Sequence, residues 1–166
     1  MLGTKRLKLV DYTEADLPFL ENMLRNPNVM RFISDGQVRN KEQAVQFLNR
    51  IMGHYHTHAD YGLKLLLDKE TGAKIGHAGL VPQTIDCEEF IEVGYWIDEP
   101  FWGNGYASEV AIALLQHGLQ TLHLPKVISL IQHGNIASEK IAIKNGMKKV
   151  RDLMLSGKSV HLYTSR

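Results

Sequence analysis

The chain has 166 residues, of which 44% are hydrophobic and 22% are charged. A chain of this length buries about 70% of its unfolded surface on folding. The composition therefore predicts one globular domain over residues 1–166 and excludes a disordered or fibrous protein. The 19 Lys and Arg residues nearly balance the 18 Asp and Glu residues, for a formal net charge of +1. This charge gives no general attraction for nucleic acid, which we therefore do not expect as a partner.

The sequence also disfavours a membrane location and a cysteine-based site. No apolar run approaches the roughly 20 residues that a membrane helix needs. Residues 1–10 carry charges where a signal peptide would be apolar. We therefore expect a cytoplasmic protein with no membrane partner. The single cysteine, Cys87, excludes an internal disulfide and a cysteine-rich zinc site.

The first predicted elements are one strand and two helices. Polar and apolar residues alternate over residues 6–10, as in a half-buried strand. Apolar spacing then predicts a helix through Leu24, which Asn26-Pro27-Asn28 breaks. Asn40, followed three residues later by Gln43, has the pattern of a capping box that opens a second helix.

Three strands with short connections follow. Apolar runs over residues 63–67 and 75–81 are joined by a loop in which Gly72 takes the left-handed position. A polar turn over residues 83–88 leads to a third strand over residues 90–97. Such closely spaced strands predict an antiparallel meander.

The second half of the chain alternates helices and strands. The pattern predicts a long helix over residues 105–122, a short buried strand over residues 126–131 and a second helix over residues 135–146. A last hairpin is predicted from residues 147–155 and 159–164. All elements together predict a mixed α/β sheet, whose strand order does not follow from the pattern.

Residues 92–109 carry the most chemical information. Gly94 interrupts a good strand, where glycine costs stability, so it marks either a bulge or a place where a ligand approaches the backbone. Gly103 and Gly105 then precede an amphipathic helix, whose uncovered N–H groups and dipole favour a phosphate group. The motif lacks a P-loop ending, and Ser108 stands where a dinucleotide fingerprint has its third glycine. A plain tight turn is the alternative interpretation.

The segment Trp102-Gly103-Asn104-Gly105-Tyr106-Ala107 is accompanied by further motifs in a recognisable order. These lie at residues 4–7, 26–32, 71–76, 92–96, 135–138 and 144–147. The chain resembles the GNAT-type acetyl-CoA-dependent N-acetyltransferases along nearly its full length, and within them the branch that acetylates the N-termini of ribosomal proteins. The superfamily signature Gln/Arg-x-x-Gly-x-Gly/Ala falls on Trp102, Gly105 and Ala107, and Trp102 departs from the usual Gln or Arg.

The resemblance implies a mostly antiparallel sheet of about seven strands flanked by about four helices. It implies that backbone amides of residues 102–107, helped by Ser108, hold the pyrophosphate of coenzyme A, and that the pantetheine arm lies along β-strand residues 95–97. Asn135 is expected to anchor the arm, with helix capping as its alternative role. The predicted cofactor residues are Tyr95, Trp96, Ile97, Trp102, Gly103, Asn104, Gly105, Tyr106, Ala107, Ser108 and Asn135. The branch resemblance also implies a homodimer.

Acetylation of an amine makes three demands on the protein. A proton must leave the amine, negative charge on the carbonyl oxygen must be stabilised, and the departing thiolate must be protonated. The backbone N–H of Tyr95 is the predicted donor to the oxygen, provided that the strand bulges at Gly94. Glu92, on the same strand among apolar neighbours, is the predicted base, unless it faces outward. Its rivals are Glu88, Glu89 and His77.

The proton donor to the thiolate follows only from the resemblance. Many superfamily members have a tyrosine seven residues after the helix-opening asparagine, where this chain has Ala142. The ribosomal-protein branch has a serine three residues after that asparagine, which matches Ser138. We therefore predict Ser138 as the acid. A local hydrogen bond to the N-terminal backbone of the helix is its alternative role.

These residues predict an N-acetyltransferase that moves an acetyl group directly from acetyl-CoA to a primary amine, without a metal. The amine belongs to a protein N-terminus or to a small molecule. The competing interpretation is a non-catalytic sensor of coenzyme A or acyl-CoA on the same fold, which Ala142 favours and Ser138 opposes.

The acceptor pocket is expected where the sequence pattern is weakest. Residues 30–35, residues 54–61 and the final hairpin are its predicted walls. His54, His56 and His58 alternate in one of these segments, but at the end of a helix only the first and last would align, which disfavours a metal site.

Overall fold

The computed structural model describes residues 2–166, which contain seven strands and five α-helices. The strands are β1 (Leu7–Val10), β2 (Gly62–Asp68), β3 (Lys74–Ile85), β4 (Glu88–Ile97), β5 (Ile128–Gln132), β6 (Lys148–Leu155) and β7 (Lys158–Thr164). The helices are α1 (Leu17–Leu24), α2 (Pro27–Met30), α3 (Lys41–Thr57), α4 (Tyr106–Gln116) and α5 (Ile136–Lys144). Glu14–Asp16 and Glu99–Phe101 form single 3-10 helical turns, and His117–Thr121 forms a π-helical turn.

The strands form one sheet in the order β1-β2-β3-β4-β5-β7-β6. Strands β4 and β5 run parallel, and every other neighbouring pair runs antiparallel. The mixed α/β class and the mostly antiparallel sheet of seven strands are therefore confirmed. The crossover from β4 to β5 contains α4, as a parallel connection requires.

The sheet opens between its two parallel strands. Glu92 opposite Ile128 is the one residue pair that joins β4 to β5 among residues 2–166. Beyond it, β4 continues to Ile97 and β5 to Gln132 without further pairing. Parallel neighbours normally exchange evenly spaced hydrogen bonds along their shared length. The backbone of both strands therefore faces an opening, which we call the β4–β5 gap.

Helices cover both faces of the sheet, and alternate side chains of β4 pack against different helices. Val93 and Tyr95 pack in the core beneath α4 and α5, whereas Trp96 packs with the side chains of α1 and α3. Successive side chains of a strand alternate between faces, so Glu92 and Gly94 share the side of Trp96. Each buried aliphatic side chain of these cores contributes about 1.5–3 kcal/mol.

Local sequence signals position several elements correctly. Asn40 caps α3, and its capping box with Gln43 is complete, with N···O distances of 2.9 Å in both directions. Gly72 has φ +73° in the hairpin between β2 and β3. Asn135 caps α5, and Gly146 follows that helix with φ +77°. These four predictions are confirmed.

One predicted boundary, the end of β3, is wrong, and two helices differ in detail from the prediction. About four helices were expected, but Asn26 starts the additional helix α2, because its side chain accepts a hydrogen bond from the Asn28 N–H and Pro27 suits the first helical position. Strand β3 extends through the expected polar turn to Ile85, since its polar residues pair with β4, and the turn shrinks to residues 86–87. Helix α4 changes to a π-helical turn after Gln116. No helix within residues 2–166 has both the length and the apolar character needed to cross a membrane.

Candidate active site

A cleft of about 480 Å³ runs along the end of β4 to the N-terminus of α4. Residues from β4, the turn before α4 and the start of α5 form its walls. Among the predicted cofactor residues, the structure brings together Tyr95, Trp96, Ile97, Trp102, Gly103, Gly105, Tyr106, Ala107, Ser108 and Asn135. Ser138 also lines this cleft, which we call the cofactor cleft.

The turn before α4 leaves its backbone amides open. Gly103 and Gly105 both have φ +78°, a conformation that favours glycine. Gly105 is the N-cap of α4, and no side chain within residues 2–166 caps that helix. A Cβ at Gly103 would meet no atom within 4 Å, and one at Gly105 would meet only Arg6, at 3.6 Å. Uncapped amides facing free space at a helix N-terminus fit the diphosphate of coenzyme A.

Asn104 lies outside the cleft lining and instead stabilises the turn. Its side-chain Nδ2 donates to the carbonyl of Phe101 at 3.0 Å, and its own carbonyl accepts from Nη1 of Arg6 at 2.9 Å. The Arg6 side chain also donates through Nε to Glu109 Oε2 at 2.7 Å. Burial raises the pKa of Glu109, but hydrogen bonds from Thr4 and Arg6 outweigh it and lower the pKa overall. Arg6 thus ties the glycine turn to an ionised residue in the first turn of α4.

We expect Arg6→Ala to weaken coenzyme A binding about tenfold, because the turn loses a charge-assisted hydrogen bond that orients its amides. Isothermal titration calorimetry with coenzyme A measures this effect. Lys5→Ala is the matched control, since it removes the same charge from an exposed neighbouring residue. Equal losses in the two variants would show that Arg6 acts through charge alone and does not position the turn.

The predicted bulge at Gly94 is wrong. The pairing of β3 with β4 passes Gly94 without a register shift. Asp98 N–H donates to the Ile75 carbonyl at 2.9 Å and extends this ladder. Because residues of an antiparallel strand point their backbone groups alternately to the two sides, the N–H of Tyr95 points away from β3 and into the β4–β5 gap. The regular strand therefore presents the donor that was expected from a bulge.

Ser138 and Tyr95 both line the cofactor cleft. The Ser138 backbone N–H donates to the Asn135 side chain at 3.4 Å, so Asn135 has the capping role that was its alternative. Burial raises the pKa of Tyr95, an interaction with the Ser138 side chain opposes the increase, and the charge of Glu92 adds to it. Ala142 is buried in the core and does not line the cleft.

A second cavity, of about 520 Å³, lies on the opposite face of the sheet. Glu92, Gly94 and Trp96 line it from β4, and we call it the acceptor cavity. Phe32, Ile33 and Trp96 line both this cavity and the cofactor cleft. The two spaces therefore meet beside the β4–β5 gap.

Three segments expected to form the acceptor pocket contribute to this cavity. Residues 32–34, His54 and residues 155–156 are among its walls. The loop with Ser34 is held against the rest of the wall, since its carbonyl accepts from Gln132 Nε2 at 2.5 Å and its hydroxyl lies 3.3 Å from the Ser156 hydroxyl. The sequence interpretation missed the contribution of α3 before His54, where Phe47, Arg50 and Ile51 line the cavity.

Glu92 has the environment of a base that titrates near neutral pH. Burial raises its pKa to about 7, although hydrogen bonds from Gln83 and from the backbone N–H of Leu130 favour the charged form. Gln83 Nε2 donates to Glu92 Oε2 at 2.7 Å. Neither hydrogen bond comes from a cation, so the carboxylate keeps the capacity to accept a proton.

The three rival bases are less suitable. Glu88 forms an ion pair with Lys126 at 3.0 Å, and Glu89 accepts from the Thr84 hydroxyl at 2.7 Å, both on exposed parts of the strand. His77 is fully buried, which lowers its pKa to about 3. None of these three residues lines either cavity.

The histidines of α3 do not converge on a common point. His54 lines the acceptor cavity, His56 lies in the last turn of α3, and His58 follows the helix. Within residues 2–166 there is no group of three or more His, Cys, Asp or Glu side chains that could hold a metal ion.

Comparisons with known proteins agree with this geometry. The acetyltransferase (GNAT) domain family matches residues 6–148. The protein YkkB of Bacillus subtilis (strain 168) is 33% identical over 165 residues, which is 98% of this chain and 93% of that protein. The acetyltransferase from Agrobacterium tumefaciens str. C58 superposes with a TM-score of 0.83 at 25% identity, covering 99% of this chain and 93% of that one.

The expected likeness to the ribosomal-protein branch is also found. The ribosomal L7/L12 α-N-protein acetyltransferase in complex with coenzyme A has a TM-score of 0.77 at 19% identity, covering 97% of this chain and 94% of that one. At this identity the likeness concerns the fold alone. The family match covers most of the chain, and the glycine turn and the cleft beside β4 agree with it. The chain belongs to the GNAT family of acetyl-CoA-dependent N-acetyltransferases.

Proposed function

We propose that the protein transfers an acetyl group from acetyl-CoA directly to a primary amine, either of a protein N-terminus or of a small molecule. The observation that carries this proposal is the meeting of two cavities from opposite faces of the sheet, with Glu92 on the acceptor side. Two substrates can thus be bound together. A covalent intermediate on the enzyme is not needed.

The cofactor cleft has separate donors for the two ends of coenzyme A. Backbone amides of residues 102–107, helped by Ser108, bind the diphosphate at the N-terminus of α4. The exposed backbone edge of residues 95–97 pairs with the amide groups of the pantetheine arm, and Asn135 lies beside that arm at the start of α5. When bound, acetyl-CoA supplies the acetyl thioester.

Each chemical demand has one proposed residue. The N–H of Tyr95 donates to the carbonyl oxygen, where negative charge develops. Glu92 accepts the proton of the amine, directly or through water. Ser138 donates a proton to the leaving thiolate from the first turn of α5 and regains one from water, while the helix dipole also favours negative charge there.

A thiol-release assay with a panel of amines tests the proposal. We expect coenzyme A release that depends on the amine, and mass spectrometry should find one acetyl group on the amine. Initial rates at varied concentrations of both substrates should give intersecting double-reciprocal lines. Binding of acetyl-CoA without release for any peptide or small amine would favour the sensor instead. The homodimer stays a prediction that analytical ultracentrifugation can check.

We expect Ser138→Ala to lower kcat about tenfold to a hundredfold, because the thiolate loses its proton donor. The KM for acetyl-CoA should change less than kcat, since the backbone N–H of Ser138 still caps the helix with Asn135. Steady-state kinetics on both substrates measures the two effects. Tyr95→Phe is the matched control, because it removes the neighbouring hydroxyl and keeps the backbone donor. A larger loss of kcat in Tyr95→Phe would assign the acid to the tyrosine.

A further inference from the structure

The acceptor cavity has an uneven charge distribution. Its ionisable wall residues are Arg39, Arg50, His54 and Glu92. Glu92 is the single carboxylate on this wall among residues 2–166, and the proposed function already uses it as the base. The two arginines bring positive charge to the wall from the N-terminal flank of α3 and from α3 itself.

Arg39 and Arg50 differ in their hydrogen-bond and ion-pair partners. Arg39 donates to Asp35 Oδ1 at 2.9 Å and to the carbonyl of Gln37 at 2.6 Å. Arg50 forms no ion pair or hydrogen bond with any of the described residues 2–166, and its side chain is exposed at the cavity wall. Its guanidinium carbon lies 5.5 Å from the ring centroid of Phe47. Arg50 is therefore a cation with all its donors available to a ligand.

An aromatic surface connects Arg50 with the reaction centre. The Phe47 ring stacks on Trp96 with a centroid distance of 5.3 Å, and Trp96 lines both cavities. The wall thus carries the Arg50 cation next to Phe47, the stacked rings of Phe47 and Trp96, and Glu92 two residues before Gly94 and four before Trp96 on the same face of β4. Its volume of about 520 Å³ is in the range of small-molecule pockets.

We propose that the acceptor is a small primary monoamine with an anionic group, a carboxylate or a phosphate, at the far end of an apolar body. This inference rests on the proposed function and names its substrate class. Arg50 binds the anionic group, the Phe47 and Trp96 rings contact the apolar body, and the amine reaches Glu92. A polyamine does not fit, because its second cation would lie beside Arg50 with no carboxylate to pair with.

Matched six-carbon amines test the substrate class. The probes are 6-aminohexanoate, 6-aminohexyl phosphate, hexylamine and 1,6-diaminohexane, each assayed for coenzyme A release at low salt. We expect kcat/KM for the better anionic probe to exceed that of the diamine at least tenfold. The two anionic probes distinguish the carboxylate from the phosphate. A short peptide with an acidic side chain, assayed in parallel, tests the macromolecular acceptor, and its preference over every small anionic amine would contradict the proposal.

The variant Arg50→Gln identifies the residue responsible. We expect the ratio of kcat/KM for the anionic probe to kcat/KM for hexylamine to fall about tenfold, as for loss of one charge-assisted contact. Lys41→Gln is the control, since it removes an exposed charge from the same helix outside the cavity wall, and should leave the ratio unchanged. Arg50→Lys should restore part of the preference.

The outcomes separate this inference from the proposed function. Equal use of hexylamine and the anionic probes, with no effect of Arg50→Gln on the ratio, would overturn the substrate class and leave acetyl transfer intact. Efficient use of the diamine would do the same. An absence of transfer to every probe and peptide, despite acetyl-CoA binding, would contradict the proposed function itself.

Discussion

Glu92→Gln is expected to lower kcat by about 10²- to 10³-fold, since general-base catalysis contributes effects of this size. In the wild type, burial raises the pKa of Glu92 to about 7, so the ionised base accumulates as the pH rises through neutrality. The pH profile of kcat/KM should therefore have an acidic limb near pH 7. Glutamine does not titrate, and the variant should lack that limb.

The same substitution has a second, independent signature in stability. A carboxyl with a raised pKa is favoured in its protonated form, so its contribution is fully present below its ordinary pKa of 4.5 and is lost as the pH rises through about 7. Glutamine resembles the protonated form at every pH. The Tm of the variant relative to the wild type should therefore increase between pH 5 and pH 8, as thermal unfolding can measure.

Glu89→Gln provides the control for both measurements, because Glu89 is exposed on the same strand. It should change neither the pH profile nor the relative Tm. If Glu92→Gln retained the acidic limb, another group would be the base. If it lost activity equally at all pH values and kept the wild-type pH dependence of Tm, Glu92 would not have the raised pKa on which its role depends.

Gly105→Val is expected to abolish coenzyme A binding, with Kd increased more than a hundredfold. The residue has φ +78°, where a β-branched side chain is strongly disfavoured, so the turn must change its conformation. Its side chain would also add bulk to the wall of the cofactor cleft, which Gly105 lines. Both effects act on the backbone donors that hold the diphosphate. Calorimetry with coenzyme A measures the loss.

Gly146→Val is the matched control for backbone strain. Gly146 has φ +77° after α5, and a Cβ there would meet no atom within 4 Å. The two variants should lose similar stability, which circular dichroism and thermal unfolding can compare. Only Gly105→Val should lose binding. Normal binding by folded Gly105→Val would contradict the diphosphate site in the glycine turn.

Elements that depend on neighbouring residues could be predicted from the sequence. The caps at Asn40 and Asn135 and the glycines at 72 and 146 each satisfy backbone demands within a few residues, so short patterns reveal them. The position of strand ends depends on pairing. Strand β3 extends beyond its apolar run because β4 provides partners for Gln83 and its neighbours, which the hydrophobic pattern does not indicate.

The parts of the candidate site that belong to a short sequence motif could be predicted. The parts that are formed by residues far apart in the sequence could not. The glycine turn and the β4 residues follow from motifs, and the structure lines one cleft with them. The Arg6 contact with Asn104 joins residues 98 positions apart, and no local pattern indicates it. Likewise, the sequence does not show that Arg50 lines the acceptor cavity, because its position there depends on how α3 packs.

The location of the two cavities also affects how specificity can evolve. Among the described residues, Phe32, Ile33 and Trp96 alone belong to both walls, while α3 and the final hairpin line the acceptor cavity and not the cofactor cleft. Mutations in these two segments can change the specificity for the amine without changing the residues that bind coenzyme A. Related enzymes that keep the same cofactor cleft can thereby acquire different amine substrates through changes on one face of the sheet.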